Sequence, residues 1–264
     1  MKINYLLLFG LLTTMTLASC GGAESTDDAA GETAETQEET AEPEAKSCKL
    51  KSYSFQLGDK SRTLHFNYDG DNLKTLEMTE AGNDEKQAMN YTYDESGNLS
   101  SFELDKSKAT YVYDADGRLI EIKGEGNLNT RTFEYDEEGR MIKQVTLFGG
   151  KPYTTHIYSY DNETPTKVEL MMKGELYETY ALLFDDKKNP LMHKGIFANS
   201  AEMMLGYAVA NFHHNVVTVT TTNKKGEEDK REYSYEYDEN GYPTSEKRKR
   251  GDQEIVTVYE YDCQ

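Results

Sequence analysis

Residues 111–119 read Tyr-Val-Tyr-Asp-Ala-Asp-Gly-Arg-Leu, and this stretch decides the fold. Its opening phrase, aromatic–x–aromatic–Asp, recurs as Phe66–Asp69, Tyr91–Asp94, Phe133–Asp136, Tyr158–Asp161, Tyr235–Asp238 and Tyr259–Asp262, with a weaker copy at Leu182–Asp185. From Asp69 to Asp262 the Asp-to-Asp steps are 25, 20, 22, 25, 24, 53 and 24. The long step reads as two periods with one copy overwritten. A period in the low twenties marks a repeated supersecondary unit.

Aromatics at i and i+2 share one face of a strand, because successive side chains alternate sides. The Asp opens a turn, since its carboxylate can accept backbone N–H groups two residues on. Gly97, Gly117, Gly139 and Gly241, each three places after its Asp, tolerate positive φ. That suits a type I turn closed by a G1 bulge. Asn72 is expected to stand in for the glycine after Asp69, because Asn also tolerates the left-handed region. Thr164 cannot, so the turn after Asp161 is expected to differ. A second apolar-bearing run follows each turn, such as Leu99–Leu104, and a polar or glycine-rich break such as Gly149-Gly150-Lys151 returns the chain. One repeat is therefore one β-hairpin. The pattern predicts an all-β domain, a long antiparallel meander of about sixteen strands. A meander that wide twists and must curl or close. The expected result is a curved sheet or barrel with aromatic rows inside and polar residues outside.

Residues 186–222 break the pattern. Pro190 ends one strand, because it cannot donate to a ladder. Asn199 stands three residues before Glu202, a capping-box spacing, and an apolar run follows to Phe212. This predicts one inserted helix near 199–212, buried and capping the open mouth of the sheet. Residues 215–222 return as a β-branched strand.

The chain begins with Lys2, an apolar stretch and Leu17-Ala18-Ser19-Cys20. A short apolar core before a small-residue site reads as a secretory signal. Its end resembles the bacterial lipobox, which implies cleavage before Cys20 and lipidation there. The expected organisation is a lipoprotein signal peptide at 1–19, a lipidated Cys with an acidic linker at 20–46, and the repeat domain at 47–264. Residues 21–46 hold nine acids against one Lys and no aromatics, so they are expected to form a disordered tether. Gly21 in place of Asp, and an acidic stretch resembling surface-export signals, imply an outer-membrane, surface-exposed address.

The formal charge is −19, and residues 47–264 carry 27 Lys and Arg against 39 Asp and Glu. Nucleic acid is excluded as a partner on that balance. The run Lys247-Arg248-Lys249-Arg250 reads as the guard of a strand edge. Cys48 and Cys263 bracket the domain, and an exported chain sits where disulfides persist. A bond between them would make the first and last strands neighbours, but sequence does not fix the Cα separation, so the pairing stays open.

Chemistry is sparse. Asp114-Ala115-Asp116-Gly117 looks like a fragment of a calcium loop, yet the further oxygen ligands and closing Glu are missing. The turn role accounts for Asp69, Asp94, Asp114, Asp136, Asp161, Asp185, Asp238 and Asp262. His213 and His214 read as residues at the helix end rather than metal ligands, with His65, His156 and His193 scattered elsewhere. No nucleophile elbow, phosphate loop or zinc-protease motif occurs. No catalytic residue, metal or cofactor is expected.

The phrase Tyr-Asp-x-x-Gly-Arg/Asn-Leu at 93–99 and 113–119, with Met for Leu at 135–141, is similar to the YD repeats of RHS proteins, which implies a continuous β-sheet shell. The layout of residues 50–262, including Asp185–Pro190 and the run at 237–244, resembles a family of uncharacterised Bacteroidota lipoproteins whose shared domain has a porin-like fold. The resemblance implies a fold and no activity. The expected function is that of a non-enzymatic surface lipoprotein, a binding or structural module held to the membrane through Cys20. A glycan or a protein at the cell surface would be its partner. A lipid-inserted barrel is an alternative, although about 9–11-residue spanning strands with an aliphatic band are needed for it and strands of about seven to nine are expected here. An enzyme is the remaining alternative.

Overall fold

The computed structural model describes residues 47–57, 60–190, 213–250 and 253–263. The leader, the linker, Cys20 and the expected helix near 199–212 lie outside the described residues. The first eight strands are β1 (Cys48–Leu57), β2 (Lys60–Asp69), β3 (Asn72–Glu80), β4 (Asn83–Tyr93), β5 (Leu99–Leu104), β6 (Ser107–Tyr113), β7 (Leu119–Glu125) and β8 (Thr130–Tyr135). They continue as β9 (Met141–Phe148), β10 (Lys151–Asp161), β11 (Thr164–Met172), β12 (Glu175–Lys188), β13 (His214–Asn223), β14 (Glu228–Tyr237), β15 (Pro243–Arg250) and β16 (Gln253–Cys263). Each strand pairs antiparallel with the next, and β16 pairs with β1, so the sheet is a closed barrel. Strands run from 6 to 14 residues, a wider spread than expected.

Closure corrects one expectation directly. The basic run from Lys247 lies in β15 between β14 and β16, and a closed barrel has no edge to guard.

All eight aspartates of the phrase fall at one rim, here the YD rim. Four of its turns are built alike. The amide of Gly97 donates to the Asp94 carbonyl at 3.0 Å, and the Asp94 amide donates to the Asn98 carbonyl at 2.8 Å. Asp94 Oδ1 accepts the amides of Ser96 and Asn98. Asp114, Asp136 and Asp238 repeat the backbone pattern. The four glycines take φ between 79° and 82°, which a β-carbon resists. Asn72 does not play the expected part. Asp69 pairs with Asn72 across a two-residue loop, and Gly70 takes the positive φ of 58°. A two-residue loop needs its left-handed residue inside the loop, so the Gly within Asp-Gly serves and Asn72 stays in the strand. The turn after Asp161 is also a two-residue loop, with Asn162 at φ 52°.

In six of the eight copies the second aromatic of the phrase ties neighbouring copies together. Tyr68, Tyr93, Tyr113, Tyr135, Tyr160 and Tyr261 donate their hydroxyls to the carbonyls of Leu50, Leu73, Leu99, Leu119, Met141 and Pro243, at 2.6–3.1 Å. Every acceptor belongs to the preceding copy and comes just before a β-bulge. The extra residues at these bulges are Lys51, Lys74, Ser100, Ile120, Ile142 and Thr244. A bulge interrupts the ladder and sharpens the twist. One bulge per copy thus curls the sheet, and the next copy's phenol binds a carbonyl beside the interruption. The Arg of the phrase adds a second tie. Arg118 pairs with Asp114 at 2.7 Å and lies 5.7 Å over the Tyr135 ring, and Arg140 does the same with Asp136 and Tyr160.

The inward face carries the core. Leu50, Tyr53, Leu64, Phe66, Leu76, Tyr91, Phe102, Tyr111, Ile122 and Phe133 are buried in one cluster. Tyr158, Val168, Tyr180, Leu182 and Val219 form a second. The outward face is charged: Lys143 reaches Glu134 at 2.8 Å, Lys108 reaches Glu103 at 3.2 Å, and Lys247 reaches Glu236 at 3.4 Å. Exposed pairs of this kind add about 0–1 kcal/mol each. Their importance is that they fix which face meets solvent.

Candidate functional site

The start of β1 and the end of β16 meet at the YD rim. Cys48 and Cys263 are register partners of β1 and β16 and are joined by a disulfide with Cα atoms 4.0 Å apart. Asp238 lies against them, and the three side chains have metal-ligand spacing. The sulfurs are bonded to each other, so no thiolate is offered to a metal. Asp262 is the register partner of Lys49, one pair further in.

The weaker copy, Leu182–Asp185, is also at this rim. Phe184 stands where other copies have Tyr, so one hydroxyl of the ladder is absent. Asp185 does not simply open a turn. Its Oδ1 accepts the amides of Lys187 and Asn215, and the Tyr237 hydroxyl donates to its Oδ2. Tyr235 takes over the ladder bond, donating to Val216 O at 3.0 Å. Beside this break is a cavity of about 230 Å³ walled by Pro165, Phe184, His213 and His214. His214 opens β13, with Nδ1 3.1 Å from the Lys187 carbonyl. Among the described residues, no further metal-ligating side chain converges on these histidines.

Inside the wall, Glu246 is buried beside Tyr259, whose hydroxyl donates to its Oε2 at 3.0 Å. Burial pushes the Glu246 carboxyl above the usual range, and Arg248 and the Tyr259 bond oppose that. Arg248 Nη1 is 3.3 Å from Glu246 Oε1, near enough for an ion pair. The group is enclosed by β1, β14 and β16 and supports the wall.

The opposite rim, the hairpin rim, differs. Between β9 and β10 the register passes from Pro152↔Leu147 to Thr154↔Thr146, which leaves Tyr153 as a bulged residue. Between β11 and β12 it passes from Leu170↔Glu178 to Met171↔Leu176, which leaves Tyr177 bulged. Bulges at barrel rims re-aim side chains. Both bulged residues are tyrosines, 41% and 44% exposed. Phe148 is 69% exposed with its ring 6.0 Å from that of Tyr153. The two hairpins are locked together, since the Lys173 amide donates to the Tyr153 carbonyl at 2.9 Å. Lys173 Nζ lies 5.9 Å over the Tyr153 ring, and Lys151 is exposed beside it. Sequence reasoning did not single out these residues. The signal available was that Tyr153 and Tyr177 stand outside the repeated phrase.

With this geometry in hand, likeness to known proteins can be placed. The Teneurin YD-shell family model matches residues 49–167. Among solved structures, a porin-like protein from Bacteroides uniformis ATCC 8492 superposes with a TM-score of 0.59 at 13% identity, covering 81% of this chain and 98% of that one. A porin-like protein from Bacteroides vulgatus ATCC 8482 gives a TM-score of 0.39 at 11% identity, over 82% of this chain and 99% of that one. The first likeness is one of fold. The fold is thus a closed barrel of repeated hairpins, similar in fold to that porin-like protein. In sequence, the tRNA3(Ser)-specific nuclease WapA of Bacillus spizizenii is 35% identical over 99 residues, which is 37% of this chain. That match spans 4% of the nuclease's length.

Proposed function

We propose that this chain is a non-enzymatic, lipid-tethered surface module whose barrel stands in water and does not cross the bilayer. The observation that carries the reading is the charged outer wall, with Lys143, Glu134, Lys108, Glu103, Lys247 and Glu236 all facing outward. A spanning barrel needs an apolar outer band about 25 Å tall, and a Lys at mid-bilayer costs about 2–4 kcal/mol. In this reading, residues 1–19 are removed, Cys20 carries the acyl chains, and 20–46 tether the domain 47–264 to the outer membrane at the cell surface. More than one acyl chain is needed for stable anchoring. The enclosed Glu246 group and the architectural use of the turn aspartates support a binding or structural role over catalysis.

Phase partition in a cloud-point detergent tests this. The intact lipoprotein should enter the detergent phase, and a chain of residues 47–264, without leader, Cys20 or linker, should remain aqueous and folded. A 47–264 chain that still enters detergent would establish a lipid-inserted barrel and end this reading.

A further inference from the structure

One member of the phenol ladder lacks its hydroxyl, and a cavity lies where that hydroxyl would act. We propose that the space between Pro165 and Phe184 is a binding site for a small organic ammonium, a primary amine on a compact apolar body. This gives a ligand class to the binding module proposed above and rests on that reading.

The position follows from register. In the six ladder ties the acceptor carbonyl stands just before a bulge, and the donor comes from the next strand. β10 and β11 carry the same bulge. Their register passes from Ser159↔Lys167 to Tyr160↔Pro165, so Thr166 is the extra residue and Pro165 takes the acceptor's place. Continuing the β11–β12 register from Lys167↔Ala181, Phe184 is set against Pro165 as Tyr160 is set against Met141. The residue in the donor's place is therefore a phenylalanine, and it brings no hydroxyl. Pro243 shows what a proline carbonyl does elsewhere in the ladder, accepting from Tyr261 at 2.8 Å. Pro165 and Phe184 both wall the cavity of about 230 Å³.

The lining sets the chemistry. A ladder carbonyl accepts a hydrogen bond, so the ligand must donate one there. Glu163 adds a carboxylate, and no Lys or Arg lines the cavity. Arg140 acts on Glu163 from outside, but its guanidinium is engaged by Asp136, Glu138 and the Asn162 carbonyl. His214 offers a further acceptor. Its Nδ1 lies 3.1 Å from the Lys187 carbonyl, which needs that nitrogen protonated and leaves the lone pair of the neutral ring on Nε2. The polar lining is thus weighted toward acceptors, with apolar surface from Pro165 and the Phe184 ring. An ammonium presents three donors and no acceptor, and a cation is drawn to an aromatic face. An anionic ligand would meet Glu163 with no base to offset it. The excess of 39 acids over 27 bases in residues 47–264 also draws cations to the barrel. Drug-sized pockets hold about 300–1,000 Å³, so this one admits a smaller ligand.

The test is a calorimetric titration of the full chain, purified in detergent, with benzylamine. Benzyl alcohol serves as the neutral counterpart and benzoate as the anionic one. Saturable binding of benzylamine is expected, with benzyl alcohol at least about tenfold weaker, the scale of one charge-assisted hydrogen bond, and no measurable binding of benzoate. Phe184→Tyr restores the ladder donor to Pro165 and should weaken benzylamine at least about tenfold, on the same scale, without lowering the melting temperature. Glu163→Gln, at an exposed position, should weaken it by a similar factor, and decides the matter if the Phe184 variant does not fold. Tyr153→Ala, at the other rim, should bind as the unmutated chain does. No saturable binding of benzylamine, equal binding of all three compounds, or benzylamine binding untouched by Glu163→Gln would each overturn the assignment. Failure here, with a 47–264 chain that stays aqueous and folded in the partition experiment, would sink the pocket alone and leave the tethered-module reading standing.

Discussion

Tyrosines at the YD rim and at the hairpin rim occupy the two ends of the same sixteen strands and do different things. At the YD rim, phenols are sunk into the wall and bonded to the copy before. Burial pushes Tyr113, Tyr135 and Tyr160 up to about 12, with nearby Asp114 or Asp136 adding to the shift for the last two. At the hairpin rim, Tyr153 and Tyr177 sit on bulges and face solvent. In a chain of copies, the residues that repeat are held by neighbouring copies, and those that fall off the period are released from that duty. The off-period residues are where contact with other molecules can be placed without loosening the ring.

The comparison can be broken most forcefully at the disulfide. Replacing Cys48 and Cys263 by Ser opens a loop with a sequence separation of 215. The chain-entropy model puts the loss at about 5 kcal/mol. Urea unfolding with and without reductant measures it, and an unmoved midpoint would show that the YD rim closes without its covalent tie. Next in size is Gly117→Val. A β-carbon there meets nothing within 4 Å, so the cost comes from positive φ alone, about 1–2 kcal/mol or somewhat more for a branched residue. Unchanged melting would remove the turn assignment.

A sharper contrast is Tyr135→Phe against Tyr153→Phe. The first strips the Leu119 carbonyl of its partner and should cost about 1 kcal/mol. The second should stay within about 0.5 kcal/mol, as surface changes do. Equal shifts in the two melts would erase the distinction between the rims.

The smallest effect expected is in acid. Asp94 is held below the usual carboxylate range by the Asn98 amide first, and Asp114 by the Arg118 amide first. A depressed carboxyl contributes stability above its unfolded pKa and loses it as pH falls through the folded value, so the window opens below about pH 4. At the hairpin rim, Asn223 makes the same turn without titrating, its Oδ1 accepting the amides of Lys225 and Glu227. Asp114→Asn should therefore keep the turn and flatten part of the acid slope of stability. A slope identical to that of the unmutated chain would show that the turn carboxylates do not set acid sensitivity.

Much of the YD rim was legible in the sequence, because its chemistry is local. The i, i+2 aromatics, the turn Asp and the left-handed Gly all act within five residues. What the Arg and the phenol do was not legible, since Arg118 reaches Tyr135 and Tyr135 reaches Leu119 across copies whose register sequence does not state. Bulges were hidden for a related reason. One extra residue per copy disappears into steps that already vary from 20 to 25. The Asn72 expectation failed because two residues that tolerate the left-handed region lay close together, and loop length decided between them. Tyr153 and Tyr177 carried only a negative mark, their absence from the phrase.

One consequence of the phenol ladder concerns ancestry. Every tie in it runs from one copy to the copy immediately before, and no tie skips a neighbour. Away from the weaker copy with Phe184 and the seam closed by the disulfide, no copy is privileged, and one can be lost or gained by unequal recombination without orphaning a bond, changing only the circumference. A chain with residues 115–136 deleted, one full period, should refold as a narrower ring of fourteen strands with the disulfide intact. Circular dichroism and a thiol titration would reveal a failure at once.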